Sequence, residues 1–311
     1  MRRLEPSRPL LFAALAALLL AALSGCGLVA RHGATSTELL VTRDFGRKLL
    51  ARASRPVPAG GTSALRQISA SYPVVLGSGG SIERLDGVPA GARGGGTLAW
   101  ALYVNGVRAG ARPAEVRVHP GDHLWADLHG APAPAAAVVG AFPEPFVDGI
   151  DGRRLPVRVE CAAVQRPPCA TVAARLRAAG IVAGISAISG GGGPEVLRVL
   201  VGPWPALAGD FAAYSLVRGP ATSGVYATIA RGGGAIVPLA ADGAPGQALG
   251  AGTGLVAATH GEAAVPVWLV TGTDEEGVQR AAGAVQEGVL ARRFAVAVTA
   301  AGVLPLPFSG A

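Results

Sequence analysis

Charge is scarce in this 311-residue sequence, at 15% of positions, and of its 27 basic residues only Lys48 is a lysine. The formal net charge of +7 rests on arginines that are scattered, with no Lys/Arg block and no basic strand studded with aromatics. That pattern excludes the electrostatic footprint of a nucleic-acid binder. A phosphate-binding loop with lysine is excluded too, because Lys48 lies between Arg47 and Leu49 rather than behind a glycine-rich turn. No Gly-x-Ser-x-Gly elbow and no His-Glu-x-x-His helix occurs, and His260 is the only histidine after residue 130. A Ser-His hydrolase would thus rest on one residue, and no catalytic residue, enzyme activity or cofactor is expected.

What is present is apolar residue, at half of the chain, and enough length for two buried cores. Glycine and proline supply 46 and 24 residues, so long connections between short elements are expected.

The N-terminus is the most informative segment. Arg2, Arg3 and Arg8 precede fourteen uninterrupted apolar residues at positions 10–23. A positive start and a short apolar run make a signal peptide, while a spanning helix needs about 20 apolar residues. Leu23-Ser24-Gly25-Cys26 resembles the lipobox of bacterial lipoproteins. That resemblance implies cleavage before Cys26, acylation of its thiol and attachment to the outer face of the cell membrane. The other two cysteines, Cys161 and Cys169, are then an even remainder in an oxidising compartment. They are expected to form a disulfide, the alternative being two buried thiols.

Residues 37–130 read as the first domain. Positions 38–43 and 47–54 are strands around the turn Asp44-Phe45-Gly46, and positions 62–70 have Ala64, Leu65 and Ile68 at helical spacing. Positions 97–104 alternate, ending in the Asn105-Gly106 turn; 114–118 returns; Pro120-Gly121-Asp122 turns again; and 123–129 alternates. Two strands, a helix and further strands is the order of a β-grasp domain. Ser81-Ile82, Leu85-Asp86-Gly87-Val88, Trp100 with Tyr103-Val104-Asn105-Gly106, and Pro120-Gly121-Asp122 with Leu124-Trp125 resemble the transcobalamin-type C-terminal β-domain. In animal cobalamin carriers that domain closes over the corrinoid opposite a helical barrel. With no barrel here, the resemblance implies a module for a small ligand, cobalamin-like or other, or for an envelope component.

Alternation sends Leu98, Trp100, Leu102 and Val104 to one face with Leu124, Ala126 and Leu128, and leaves Tyr103 and Trp125 on the other. Flanked by His123 and Asp127, the two aromatics are the expected ligand-binding residues of an open sheet face. The competing reading is that the second domain or the loop at 91–96 covers them. His119, Asp122, His123, Asp127 and His129 look metal-rich along the line, but a strand holds His123 and His129 about 20 Å apart, so no metal site is expected.

An Ala/Pro linker at 131–135 leads to a second, α/β domain with a mixed sheet at 136–311. Strands are expected at 156–161, 196–201, 224–229, 235–239, 255–258, 265–270 and 294–298, and helices at 170–179, 206–217 and 274–290. Strand, helix, strand at both ends suggests two βαβ-like halves. Gly250-Ala251-Gly252-Thr253-Gly254 precedes an apolar strand, whereas a dinucleotide fingerprint needs a helix there.

The expected protein is therefore α+β. A signal peptide (1–25) and lipidated tether (26–36) precede a β-grasp domain and an α/β domain. It is anchored by lipid outside the cell and binds a small ligand, a transporter or an envelope component; the alternative is a non-catalytic scaffold that contacts protein or cell-wall polymer.

Overall fold

A computed structural model describes residues 35–93, 96–189, 193, 195–259 and 265–309. Cys26, His260 and the signal segment lie outside the described residues. Residues from Thr35 onward form one compact unit, an α+β arrangement with two principal sheets.

Strand β1 (Ser36–Arg43) and strand β2 (Lys48–Pro56) form the opening hairpin. Its turn places Asp44, Phe45 and Gly46 at φ of 58°, 57° and 78°. Strand β3 (Thr62–Ser63) leads into α1 (Ala64–Ser69), where Ser63 Oγ caps the helix by accepting from Arg66 N at 3.2 Å. A small sheet of β4 (Val74–Leu76), β5 (Ile82–Leu85) and β6 (Val88–Pro89) follows. Then come β7 (Gly91–Arg93), β8 (Gly96–Val104), β9 (Val107–Arg108), β10 (Arg117–Val118) and β11 (His123–Ala131). The strand expected over 114–118 is reduced to β10, paired with β3.

The first sheet has the order β2-β1-β11-β8-β7, with β9 also on β8. β1 and β11 are parallel at its centre and the other pairs antiparallel. Ala64 and Ile68 of α1 pack against Leu39, Val41, Trp100, Leu102, Leu124 and Leu128. That is the face expected from the alternation.

The second sheet contains β12 (Val157–Cys161), β13 (Ala183–Ala187) and β14 (Leu197–Pro203), with α2 (Pro167–Ala178) between the first two. The segment expected as a helix over 206–217 is broken into α3 (Trp204–Leu207), α4 (Phe211–Tyr214) and a 3-10 turn, Ser215–Arg218. Helix α5 (Pro220–Ser223) precedes a small hairpin of β15 (Ala227–Ile229) and β16 (Ile236–Pro238). Strands β17 (Gly254–Thr259) and β18 (Val267–Gly272) are followed by α6 (Glu275–Ala284) and α7 (Glu287–Leu290), a break at Val285 and Gln286 in the long helix expected. Strands β19 (Ala295–Thr299) and β20 (Gly302–Leu306) close the sheet.

The order is β13-β12-β14-β18-β17-β19-β20, parallel over its first four strands and antiparallel beyond. Helices α2 and α6 lie side by side on one face, where Val172, Leu176, Val278 and Ala281 bury Val159, Val199 and Val270. The other face carries Leu255, Leu269 and Ala297, which share a buried cluster with Leu40, Tyr103 and Trp125 of the first sheet. The two segments expected as separate domains thus have one core in common.

Candidate functional site

Tyr103 and Trp125 are direct cross-strand partners, with ring centroids 5.8 Å apart. The sequence places them together correctly, but the open face expected around them is not there. Both side chains are fully buried. Phe294 of the second half meets their rings edge-on at 5.5 and 5.4 Å. A sheet that is apolar on both faces must be covered on both, by α1 on one side and by the larger sheet on the other. Burial also pushes the Tyr103 phenol well above its ordinary range.

Asp127 is equally enclosed. Its carboxylate accepts from the Thr42 hydroxyl and from the backbone N–H groups of Phe45 at 3.1 Å and Gly46 at 2.9 Å. It also lies 2.7 Å from His129 Nδ1. Thr42 Oγ1 in turn accepts from Trp125 Nε1 at 2.6 Å. A carboxylate with this many donors is satisfied, and its work is to hold the positive-φ turn at Phe45 and Gly46. Phe45 stacks on His129 at 4.5 Å and touches Tyr226 and Phe294 edge-on. A Cβ at Gly46 would collide with the carbonyl of Arg292, so the turn enters the second half without side-chain bulk. His123 is half-buried, and its backbone N donates to Asn105 Oδ1 at 2.8 Å.

The two tight turns of the quoted motif do meet. Asn105 Nδ2 donates to Asp122 Oδ1 at 2.7 Å and to the carbonyl of Gly149 at 2.8 Å, while His119 N donates to Asp122 Oδ2 at 2.7 Å. Burial raises the Asp122 pKa, against the pull of these bonds. Among the described residues no group of three or more His, Cys, Asp or Glu side chains is arranged to hold a metal.

Open space lies elsewhere. Strands β12, β14 and β18 run parallel, so their C-terminal ends share one edge. From β12 the chain crosses through α2 to β13 on one side, while β14 and β18 lie on the other. Such a reversal opens a crevice at the strand ends, where ligands bind in open α/β sheets. A cleft of about 330 Å³ occupies that position. Its floor is Val201, Gly202, Ala162 and Ala163, with Pro168 and Cys169 of α2 on one wall and Val278 of α6 on another. A Cβ at Gly202 would stand 2.6 Å from that of Ala162, which makes glycine the residue that keeps the floor flat. Arg166 and Glu275 also line the cleft. Both are exposed, and among the described residues neither side chain has a hydrogen bond or ion pair.

Two features fix the walls. Cys161 and Cys169 form a disulfide, with Cα atoms 5.9 Å apart, that ties the end of β12 to the first turn of α2. On the opposite face Arg198 donates to Glu160 at 3.1 and 2.8 Å and to Asp210 at 2.6 Å. Those carboxylates raise the Arg198 pKa, led by the hydrogen bonds to Glu160. Asp210 also caps α4 through the N–H groups of Ala212 and Ala213, so the chain leaving β14 is pinned back onto the sheet.

No protein-family model matches this sequence, and no curated protein matches it. Among solved structures, one from Ruminococcus gnavus ATCC 29149, provisionally described as a metal binding protein, is similar to 31% of this chain over 98% of its own length. The identity is 13% and the TM-score 0.25, a likeness that bears on neither fold nor chemistry.

Proposed function

We propose that this chain is an extracytoplasmic lipoprotein, anchored through lipid on Cys26, that binds a small molecule in the cleft at the C-terminal edge of its parallel strands. The observation that carries the binding role is the cleft itself. Its volume of about 330 Å³ is at the lower end of small-molecule sites, and a mostly apolar wall with a few polar groups at the rim is their usual composition. Arg166 and Glu275 supply charges of opposite sign there, suited to a ligand with both an anionic and a cationic or donor group.

The first sheet is read as a β-grasp, a reading supported by the parallel pair β1 and β11 at the centre of the order β2-β1-β11-β8 and by α1 packed across one face. The transcobalamin-like motifs fit a structural role in it, since Asn105 and Asp122 lock its turns. With Tyr103 and Trp125 in the common core, this sheet serves as a supporting wall. The anchor reading rests on the charged start, apolar run and lipobox at residues 2–26. Among the described residues no helix is long and apolar enough to cross a membrane.

Native mass spectrometry of the chain purified from membranes tests both parts. The expected result is a diacylglyceryl mass on Cys26 and a co-purifying small molecule that is lost from an Ala206→Trp variant, whose new side chain fills the exposed side of the cleft. An unmodified, uncleaved N-terminus would remove the anchor. Ligand retained by Ala206→Trp would remove the cleft as its site.

A further inference from the structure

The seven-stranded sheet ends at β13, whose residues pair with β12 on one side and with nothing described on the other. An outer strand offers a row of free backbone donors and acceptors, and proteins usually guard it with charge, proline, bulges or brevity. The other outer strands here are guarded in those ways. β20 carries Pro305, β2 carries Lys48, Arg52 and Arg55, and β7 has three residues.

β13 carries no guard. Its sequence, Ala-Gly-Ile-Ser-Ala, has no charge and no proline. It exposes apolar surface as well, with Ile185 47% accessible and the preceding Val182 92% accessible. We propose that β13 is a self-association edge, where two copies of this chain pair antiparallel about a two-fold axis at Ile185 and join their large sheets into one.

The register supports a second copy as the occupant. An axis at Ile185 sets Ala183 opposite Ala187 and Gly184 opposite Ser186, small residues against small ones. Ile185 lies beside Val159 in the parallel register with β12, and Val159 is in the core beneath α2. The two Ile185 side chains therefore stand on the α2 face of the joined sheet. Directly opposed residues have Cβ atoms about 4.5–5.5 Å apart, so each isoleucine covers the other's exposed surface. On the opposite face the charged side chains of the adjoining strand β12 are Arg158 and Glu160, which are already an ion pair. The same operation on β2, with the axis at Arg52, would set that arginine against its own copy.

A five-residue strand pair is a small interface, so the dimer is weak in solution. Confinement on one membrane face would raise its occupancy. Cleft and edge are separate surfaces, so a monomer that binds its ligand would overturn only this proposal.

Cysteine cross-linking in the full-length, membrane-anchored chain tests it. Cys161 and Cys169 are bonded to each other, so Ile185→Cys would supply a single new thiol, and in antiparallel pairing it faces its own copy within disulfide reach. The expected result is a covalent homodimer formed at least about ten times faster than with Val217→Cys, a site of similar accessibility at 42%. Ile185→Lys should abolish the concentration dependence of sedimentation shown by the unmodified detergent-solubilised chain, without lowering its thermal midpoint. Equal cross-linking at 185 and 217, capture of a different polypeptide at 185, or sedimentation independent of concentration would each overturn the proposal.

Discussion

The side-chain amide of Asn105 donates to Oδ1 of Asp122 at 2.7 Å, which fastens the turn after β8 to the turn before β11. Asn105 also satisfies the carbonyl of Gly149 and the N–H of His123. Asn105→Ala leaves a buried carboxylate and two backbone groups short of partners. The expected loss is about 2–4 kcal/mol of unfolding free energy, measured by urea denaturation. Asn105→Asp should be worse at neutral pH, since it sets two carboxylates together.

Two carboxyl groups are shifted in opposite directions, and their pH dependences should differ in sign. Asp122 is raised by burial, so the folded state holds its proton more firmly than the unfolded state does. Its contribution to stability falls as pH rises from the unfolded pKa through the raised folded one, and is level above that. Asp274 is lowered, chiefly by accepting from Gly277 N at the start of α6. Its contribution is present above the unfolded pKa and is lost as pH falls through the folded one. Denaturation of Asp122→Asn and Asp274→Asn across the acid range should therefore give difference curves of opposite slope.

Trp125→Ala should behave as a core deletion. Removing a fully buried indole that also donates to Thr42 should cost about 3–5 kcal/mol, read by chemical denaturation. Small-molecule binding by the fraction that remains folded should be unchanged. Weakened binding with unaltered stability would return Trp125 to a recognition role.

Arg198 lies between Glu160 and Asp210 with only 8% of its surface accessible. Arg198→Met would leave Asp210 without its cationic partner and Glu160 with only the longer contact to Arg158 at 3.8 Å. The expected cost is about 3–5 kcal/mol, and proteolysis should begin in the 203–218 segment that Asp210 pins down.

The disulfide spans eight residues, and chain-entropy bookkeeping gives it about 2.5 kcal/mol. The Cys161→Ala, Cys169→Ala double variant should unfold at correspondingly lower urea. Thiol labelling of the unreduced, denatured wild-type protein should find neither sulfur. Because Cys169 lines the cleft, the double variant should also lose ligand affinity, whereas a distant core variant of equal instability should not.

Much of this arrangement was legible in the sequence where a strand alternates against one covered face. The positions of Trp100, Leu102, Leu124 and Leu128 in the core, and the shared opposite face of Tyr103 and Trp125, follow from period two alone. What covers that second face does not, because sheet-on-sheet contact is a long-range outcome with no local pattern. The helix expected over 206–217 ignores Asp210, which is recruited by Arg198 twelve residues earlier and starts a new turn there. β13 leaves no local signal, because a strand of Ala, Gly, Ile and Ser has neither alternation nor bulk. The cleft was illegible for a similar reason. Its walls come from three separated segments, 162–169, 201–206 and 275–278, and the only local hint is Gly202-Pro203 ending a buried apolar run.

The turn that carries Phe45 has a mechanical consequence. A pull entering at Thr35 runs along β1, which is bonded to β2 on one flank and β11 on the other and ends in a turn gripped by Asp127 and stacked on His129. Loaded along its length, such a strand cannot peel one bond at a time. Both ladders must slip together, and Phe45 must be drawn from between Tyr226 and Phe294 as they do. Drag on the body at a tethered surface would therefore be borne in shear, with the aromatic turn as the toggle that keeps the strand from sliding out.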